Sequence, residues 1–275
     1  MDWSLVLASQ GIEHVLDHTE GAGWALMVTG SDHAAALGAI RLFRWESRRW
    51  PWQGTIPRTG DLFDWVATAW VLLTCVLYWL SVQRPAMVNA GIVDGAAVAS
   101  GQWWRLCTAT MLHADLPHLA ANGAFGFILI GLTMGRYGTG VGLLGAFLAG
   151  VAGNLISWQV HGELFHGLGA SGVVMGALGL ITVQSSDQAG RRPQVLRILF
   201  GGLAAGVMLF VLLGVSPGTD VVAHFGGFLA GIAIGLLLSA GAQVFRRPVV
   251  NLAAGLVFAI LVIASWWLAL RHGGR

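Results

Sequence analysis

A succession of apolar stretches constrains this sequence most. Several are long enough to cross a hydrocarbon core of about 30 Å, in a chain where only 10 % of residues are charged. Seven spans are expected, near 62–82, 115–135, 139–160, 170–186, 195–214, 220–242 and 249–270. Backbone crossing lipid must satisfy its own N–H and C=O groups, so each span is expected to be a helix. The expected fold class is therefore an all-α polytopic membrane protein. All fifteen basic residues are arginine. With a cytoplasmic N-terminus, Arg41, Arg44, Arg48, Arg49, Arg58, Arg136, Arg191, Arg192, Arg197, Arg246 and Arg247 fall in the cytoplasm, and only Arg84, Arg105, Arg271 and Arg275 outside. The positive-inside bias favours that orientation. The first twenty residues carry acids and no basic n-region, so the first span is expected to serve as the insertion signal.

The first sixty residues follow different rules. Short apolar runs at Ser4–Ala8 and Trp24–Thr29 suggest strands, and Ser31 is placed to cap a helix carrying Leu37, Ile40 and Phe43. A small α+β domain on the cytoplasmic side is expected over 1–50, with a linker at 51–60. His14 and His18 lie four apart beside Glu13 and Asp17, a spacing that would suit a metal on a helix. With no further ligand nearby, a solvated face is the preferred reading. Cys75 and Cys107 show no disulfide or zinc spacing and are expected to be free thiols.

Counting spans from a cytoplasmic N-terminus, the second, fourth and sixth all start at the outer face. His118 and Asn122 fall in the first turns of the second, Ser171 at the start of the fourth, and His224 one turn into the sixth. At about 1.5 Å per residue these polar groups sit at similar shallow depths. The fourth span, 171–186, covers only about 24 Å as a helix. The preceding Gly167–Ala170 is then expected to dip inward as irregular backbone, which is tolerated at membrane depth only when buried in protein or facing water. On a helix, Gly227, Gly231 and Gly235 share a face with His224, and Gly172, Gly176 and Gly179 form a stripe beside Ser171. Small residues let membrane helices approach closely, as a serine and a histidine on different helices must to hydrogen-bond. His118 and Asn122, four apart, also share a face. An imidazole and an amide aimed at one place are good donors to an oxyanion. His113 and His118 are five apart, about 140° around a helix, and so do not chelate one ion from a single face. Asp220 and Asp115 open their spans as N-caps.

These residues resemble a known family, the rhomboid intramembrane serine proteases. The matching motifs are Gly101-Gln102-Trp103-Trp104-Arg105, His113-x4-His118-x3-Asn122, Gly169-Ala170-Ser171-Gly172 and Ala223-His224-Phe225-Gly226-Gly227, in the family's order over roughly 61–242. The resemblance implies a six-helix rhomboid-like bundle over 61–242, with 243–275 forming an extra seventh transmembrane helix and tail. It implies that Ser171 is the nucleophile and His224 its general base, and that His118, Asn122 and the Ser171 backbone N–H form the oxyanion hole. It further implies that His113 and Arg105 hold the outer loops, with Gly169, Gly172 and Gly227 supporting the site. Many bacterial members carry a tyrosine four residues after the nucleophile, where this chain has Met175. A thioether can still fill that space against an imidazole ring.

The function implied is an intramembrane serine endopeptidase in the bacterial inner membrane, cutting transmembrane helices of membrane-protein substrates near the outer, periplasmic face. Its partners are those helices and the lipid bilayer. No cofactor, metal or nucleic acid is expected. A Ser-Lys dyad is impossible in a chain without lysine, there is no His-Glu-x-x-His, and Gly167–Ala170 lacks the aspartate of presenilin-like proteases. The alternative is a non-catalytic rhomboid-like protein that binds transmembrane helices. A transporter would more naturally show internal repeats.

Overall fold

Helices make up most of the computed structural model, which describes residues 2–19, 23–47, 63–184, 220–245 and 247–272. Contacts divide the chain into two units, Met1–Pro57 and Arg58–Arg275. The span expected at 195–214 and the linker at 51–60 lie outside the described residues.

The first unit contains α1 (Asp2–Ser9), β1 (His14–Thr19), β2 (Gly23–Val28) and α2 (His33–Ser47). The strand expected at Ser4–Ala8 is part of the helix α1 instead. A short apolar run does not by itself distinguish helix from strand; here Leu7, 1 % exposed, is the residue buried, while Leu5 is 70 % exposed. Trp24 to Val28 lie in β2, which pairs antiparallel with β1 from His14↔Val28 to Thr19↔Gly23. His14 and His18 therefore lie on a strand, where four residues span about 13 Å, too far to chelate one ion. His14 Nε2 lies 2.6 Å from Ser4 Oγ, and the His18 ring centroid is 4.6 Å from that of its cross-strand partner Trp24. Asp32, not Ser31, occupies the cap position of α2: its carbonyl accepts the Ala36 N–H at 2.8 Å, and its carboxylate accepts from Thr29 Oγ1.

The second unit begins with α3 (Ala67–Gln83), bent by 117° into α4 (Pro85–Gly91). The loop that follows, expected on the outer face and so termed the outer loop, is itself structured, as β3 (Val93–Asp94), α5 (Gly95–Ala99), α6 (Arg105–Thr108) and a 3-10 turn at Ala109–Met111. Next come α7 (Leu116–Tyr137), α8 (Thr139–His161), β4 (His166–Gly167), α9 (Ser171–Gln184), α10 (Val221–Ala240), α11 (Ala242–Phe245) and α12 (Pro248–His272). By length and composition α7, α8, α10 and α12 each suffice to cross a membrane, the α3–α4 pair supplies a fifth candidate, and α9 is a shorter apolar helix.

Local chemistry sets the helix ends. Asp115 caps α7 by accepting the His118 N–H at 2.7 Å, with Pro117 in the first turn where its missing N–H costs nothing. Gly138, at φ +95°, both ends α7 and starts α8, a turn that only glycine makes without strain. Against α7, the Trp70 ring of α3 fills the space above Gly126, where a Cβ would lie 2.3 Å from Trp70 Cζ3. The main core gathers Ile130, Met134, Ala146, Val173, Leu180 and Phe228 where α7, α8, α9 and α10 meet. Cys75 is exposed and Cys107 buried; both are free.

Candidate active site

Ser171 opens α9 where the chain leaves a short strand pairing. Val93 and Asp94 pair with Gly167 and His166, the Gly95 N–H donates to the Phe165 carbonyl at 2.8 Å, and the Gly169 N–H donates to the Ala109 carbonyl at 2.9 Å. The outer loop thus holds the irregular backbone expected before Ser171. Gly169 has φ +138°, and a Cβ there would lie 2.8 Å from His118 Cε1 and 2.9 Å from Nε2. The same point is 3.6 Å from Ser171 Oγ. The His118 imidazole and the Ser171 hydroxyl therefore converge on one small volume that a side chain at Gly169 would fill. As the first residue of α9, Ser171 also presents an N–H for which helix geometry provides no acceptor.

His224 reaches this region on α10, whose contact with α9 is made by backbone. A Cβ at Gly227 would lie 2.5 Å from the Gly172 carbonyl oxygen, one at Gly231 2.1 Å from that of Gly176, and one at Gly179 2.2 Å from that of Phe228. The two glycine stripes read from the sequence thus face each other. A third helix closes on them: a Cβ at Gly153 of α8 would lie 2.4 Å from the Ala223 carbonyl oxygen. His224 is buried, 3 % exposed, and lies within electrostatic reach of His118. Met175, equally buried, belongs to the same core cluster as Val174, Leu178 and Phe228.

Asp220 fixes the start of α10 as an N-cap. Its Oδ1 accepts the Ala223 N–H at 2.9 Å, its Oδ2 accepts from Ser157 Oγ at 2.5 Å, and its carbonyl accepts the His224 N–H at 3.1 Å. Ser157 Oγ is also 3.2 Å from His161 Nδ1. Sequence reasoning passed over this brace, although a serine and a histidine four apart in an apolar span are the kind of intramembrane polar pair that signals a partner.

On α7, Asn122 is 7 % exposed, and its Nδ2 has no hydrogen-bond partner among the described residues. His113 precedes the helix rather than continuing it, so its angular separation from His118 does not follow helical spacing. The two rings meet edge to face with centroids 5.3 Å apart. Burial pushes the His113 pKa down from 6.5 to about 4, helped by His118 and opposed by the Met111 backbone. Arg105 is buried in the outer loop. Its Nε donates to Gln102 Oε1 at 2.7 Å and its Nη1 to the carbonyls of Asn89 and Ile92 at 2.8 and 2.9 Å. Burial lowers its pKa and Asp94 counters this. Asn154 and Trp158 of α8 tie the same loop down through the carbonyls of Leu106 and Gly95.

The family model described as the Rhomboid domain matches residues 100–241. The chain belongs to the rhomboid family. The match takes in Arg105, His113 and the helices α7 to α10 that carry His118, Asn122, Ser171 and His224, but not β3 or α5. Rhomboid protease GluP of Bacillus subtilis is 29 % identical over 163 residues, covering 57 % of this chain and 31 % of that protein. Rhomboid-like protease 3 of Toxoplasma gondii is 28 % identical over 176 residues, covering 62 % and 66 %. Rhomboid-type serine protease 2 of Emericella nidulans is 27 % identical over 165 residues, covering 55 % and 30 %. The rhomboid chain thus spans about a third to two thirds of the length of these relatives.

Proposed function

We propose that this rhomboid chain is a multi-pass intramembrane serine endopeptidase that cleaves transmembrane segments near the outer face of the bacterial inner membrane. Ser171 is its nucleophile and His224 its general base. The observation that carries this reading is the backbone contact between Gly172 and Gly227. It brings the helix that begins with Ser171 against the helix that carries His224 at the smallest separation side chains allow.

Ser171 Oγ attacks the scissile carbonyl carbon while His224 takes the hydroxyl proton. The negative charge on the former carbonyl oxygen is met by the Ser171 N–H, the His118 imidazole and Asn122 Nδ2. An amide donor left without a partner in a buried site supports that role, since such a group costs about 1–3 kcal/mol unless a ligand satisfies it. His224 then gives its proton to the leaving amine as the C–N bond breaks. Water attacks the acyl ester while His224 takes a proton from it, and His224 returns that proton to Ser171 Oγ as the acyl C–O bond breaks and the new carboxyl group departs. Asp220, with both carboxylate oxygens engaged at the helix cap, positions α10. Met175 fills the core beneath Ser171. Arg105 and His113 brace the outer loop; along the chain the N-terminal α+β unit and the linker precede the catalytic core and the seventh helix follows it, with the N-terminus cytoplasmic.

The deciding experiment is cleavage of a tagged model transmembrane substrate in liposomes by the wild type, Ser171→Ala and His224→Ala. Product formed only by the wild type, with fluorophosphonate labelling dependent on Ser171, supports the dyad. A wild type that neither cleaves nor labels, yet retains the substrate helix, would assign the chain to helix binding instead.

A further inference from the structure

Two arms of the chain deliver the reacting groups, and one side chain outside the site touches both. The first arm runs from β4 into α9 and carries Ser171; the second is the capped start of α10, which carries His224. His161, the last residue of α8, stands between them. On one side its ring stacks on Phe165, with centroids 5.7 Å apart and planes inclined by 20°. Phe165 is 7 % exposed, and its ring presses on β4, where a Cβ at Gly167 would lie 2.6 Å from Phe165 Cζ. On the other side, His161 Nδ1 lies 3.2 Å from Ser157 Oγ and 2.9 Å from the Ser157 carbonyl oxygen.

Counting protons fixes the direction of the second contact. A serine hydroxyl has one proton to give, and that of Ser157 goes to Asp220 Oδ2. Ser157 Oγ can then only accept from His161, as the Ser157 carbonyl must, so Nδ1 carries the ring proton. His161 N–H, Ser157 O–H and the Asp220 carboxylate thus form a chain in which every donor points the same way, and members of such a chain polarise one another. It ends on the residue that caps α10, whose Oδ1 accepts the Ala223 N–H and whose carbonyl accepts the His224 N–H.

We infer that His161, given Ser171 and His224 as the reacting pair, is a positioning residue for the cleavage reaction. The glycine contacts set the distance between α9 and α10, whereas His161 sets the loop ahead of α9 against the cap of α10. It holds the first through its ring face and the second through its ring edge. Misplacing reacting groups by about 1 Å from a remote position can cost about 10²-fold in rate, so a side chain that references one arm to the other has leverage without touching substrate.

The test is cleavage of the model transmembrane substrate in liposomes by the full chain, with kcat expressed per serine that a fluorophosphonate labels at completion. His161→Ala is expected to lower that kcat by about 10- to 10²-fold, with KM and the labelled fraction unchanged. His161→Phe keeps the stack and loses the donor, and His161→Asn keeps a donor near the Nδ1 position and loses the stack, so each should retain part of the rate. Ser157→Ala added to His161→Phe should cost little more, since both break the same chain. Wild-type kcat per labelled serine in His161→Ala would overturn the inference, as would a loss confined to the labelled fraction, which is the mark of a purely structural role. Nitrogen NMR of ring-labelled histidine supplies a readout independent of activity: in the neutral His161 ring the proton should sit on Nδ1, and a proton on Nε2 would also overturn the inference. A wild type that neither cleaves nor labels fails differently, because it removes the Ser171–His224 reading and this role with it.

Discussion

Mean hydropathy is 1.7 for α8 with its 3-10 extension, 2.2 for α10 and 2.3 for α12, yet 56 %, 44 % and 11 % of their apolar windows are buried. Hydropathy thus separates bilayer from water but does not say which helix faces protein and which faces lipid. Glycine placement does. At Gly153 of α8, Gly179 of α9 and Gly227 and Gly231 of α10, a Cβ would meet the backbone of a neighbouring helix at 2.1 to 2.5 Å. In α12, a Cβ at Gly255 would find its nearest atom at 3.8 Å. Without a hydrophobic drive between helices in lipid, close backbone contact is the main source of association. The α8–α10 seam is tightly determined at several levels, whereas α12 is held at a few points, the closest where a Cβ at Gly140 of α8 would lie 1.9 Å from the Asn251 carbonyl oxygen. Asn251 also accepts the Val141 N–H and donates to the Phe245 carbonyl, and Trp266 packs against Gly91 at the end of α4.

The strongest way to break this contrast is Gly231→Val. A branched side chain 2.1 Å from the Gly176 carbonyl oxygen must push α9 and α10 apart, at about 3 kcal/mol or more. Thermal unfolding in detergent should show a large loss of stability, and cleavage should vanish with it. Asn122→Ala should separate the seam's function from its stability. The rate should fall about 10²- to 10³-fold, as for loss of one oxyanion donor, while the unfolding midpoint stays level or rises, because an unpaired buried donor has been removed. A parallel fall in both quantities would make Asn122 a packing residue.

The His113 pKa sharpens the comparison through pH. Its folded value of about 4 lies below the ordinary 6.5, so between those limits the unfolded chain binds more protons than the folded one. Stability from the neutral ring is complete above about pH 6.5 and declines as pH falls toward 4, by at most about 3 kcal/mol at 1.36 kcal/mol per unit. His113→Phe should flatten the unfolding curve over that window. A smaller effect is expected from Ser157→Ala, which removes the donor to Asp220. The loss of stability should be about 1–2 kcal/mol, with kcat reduced several-fold and KM unchanged, because the brace acts on the helix carrying His224 rather than on substrate. Smallest of all is Gly255→Ala, expected to change the unfolding free energy by less than about 0.5 kcal/mol. A large loss there would mean that α12 is as tightly fitted as the seam.

By itself, the sequence determined whatever depends on neighbours a few residues apart. Hydropathy located the described spans, helical spacing put the glycines on the faces that meet, and an aspartate before each apolar run marked the caps at Asp115 and Asp220. Where a short run was read alone, as at Ser4–Ala8, the helix α1 escaped because burial of Leu7 decides it, not a pattern in five residues. Tertiary structure decided the folding of the outer loop around Arg105, the hydrogen bond from Gly169 to Ala109 that shapes the approach to Ser171, the ring contact of His113 with His118, and the brace from Ser157 to Asp220. Each depends on groups brought together from distant parts of the chain, or across a break in helix geometry. A side chain's partner there is set by how whole helices pack and where the backbone turns, and local periodicity carries no record of either.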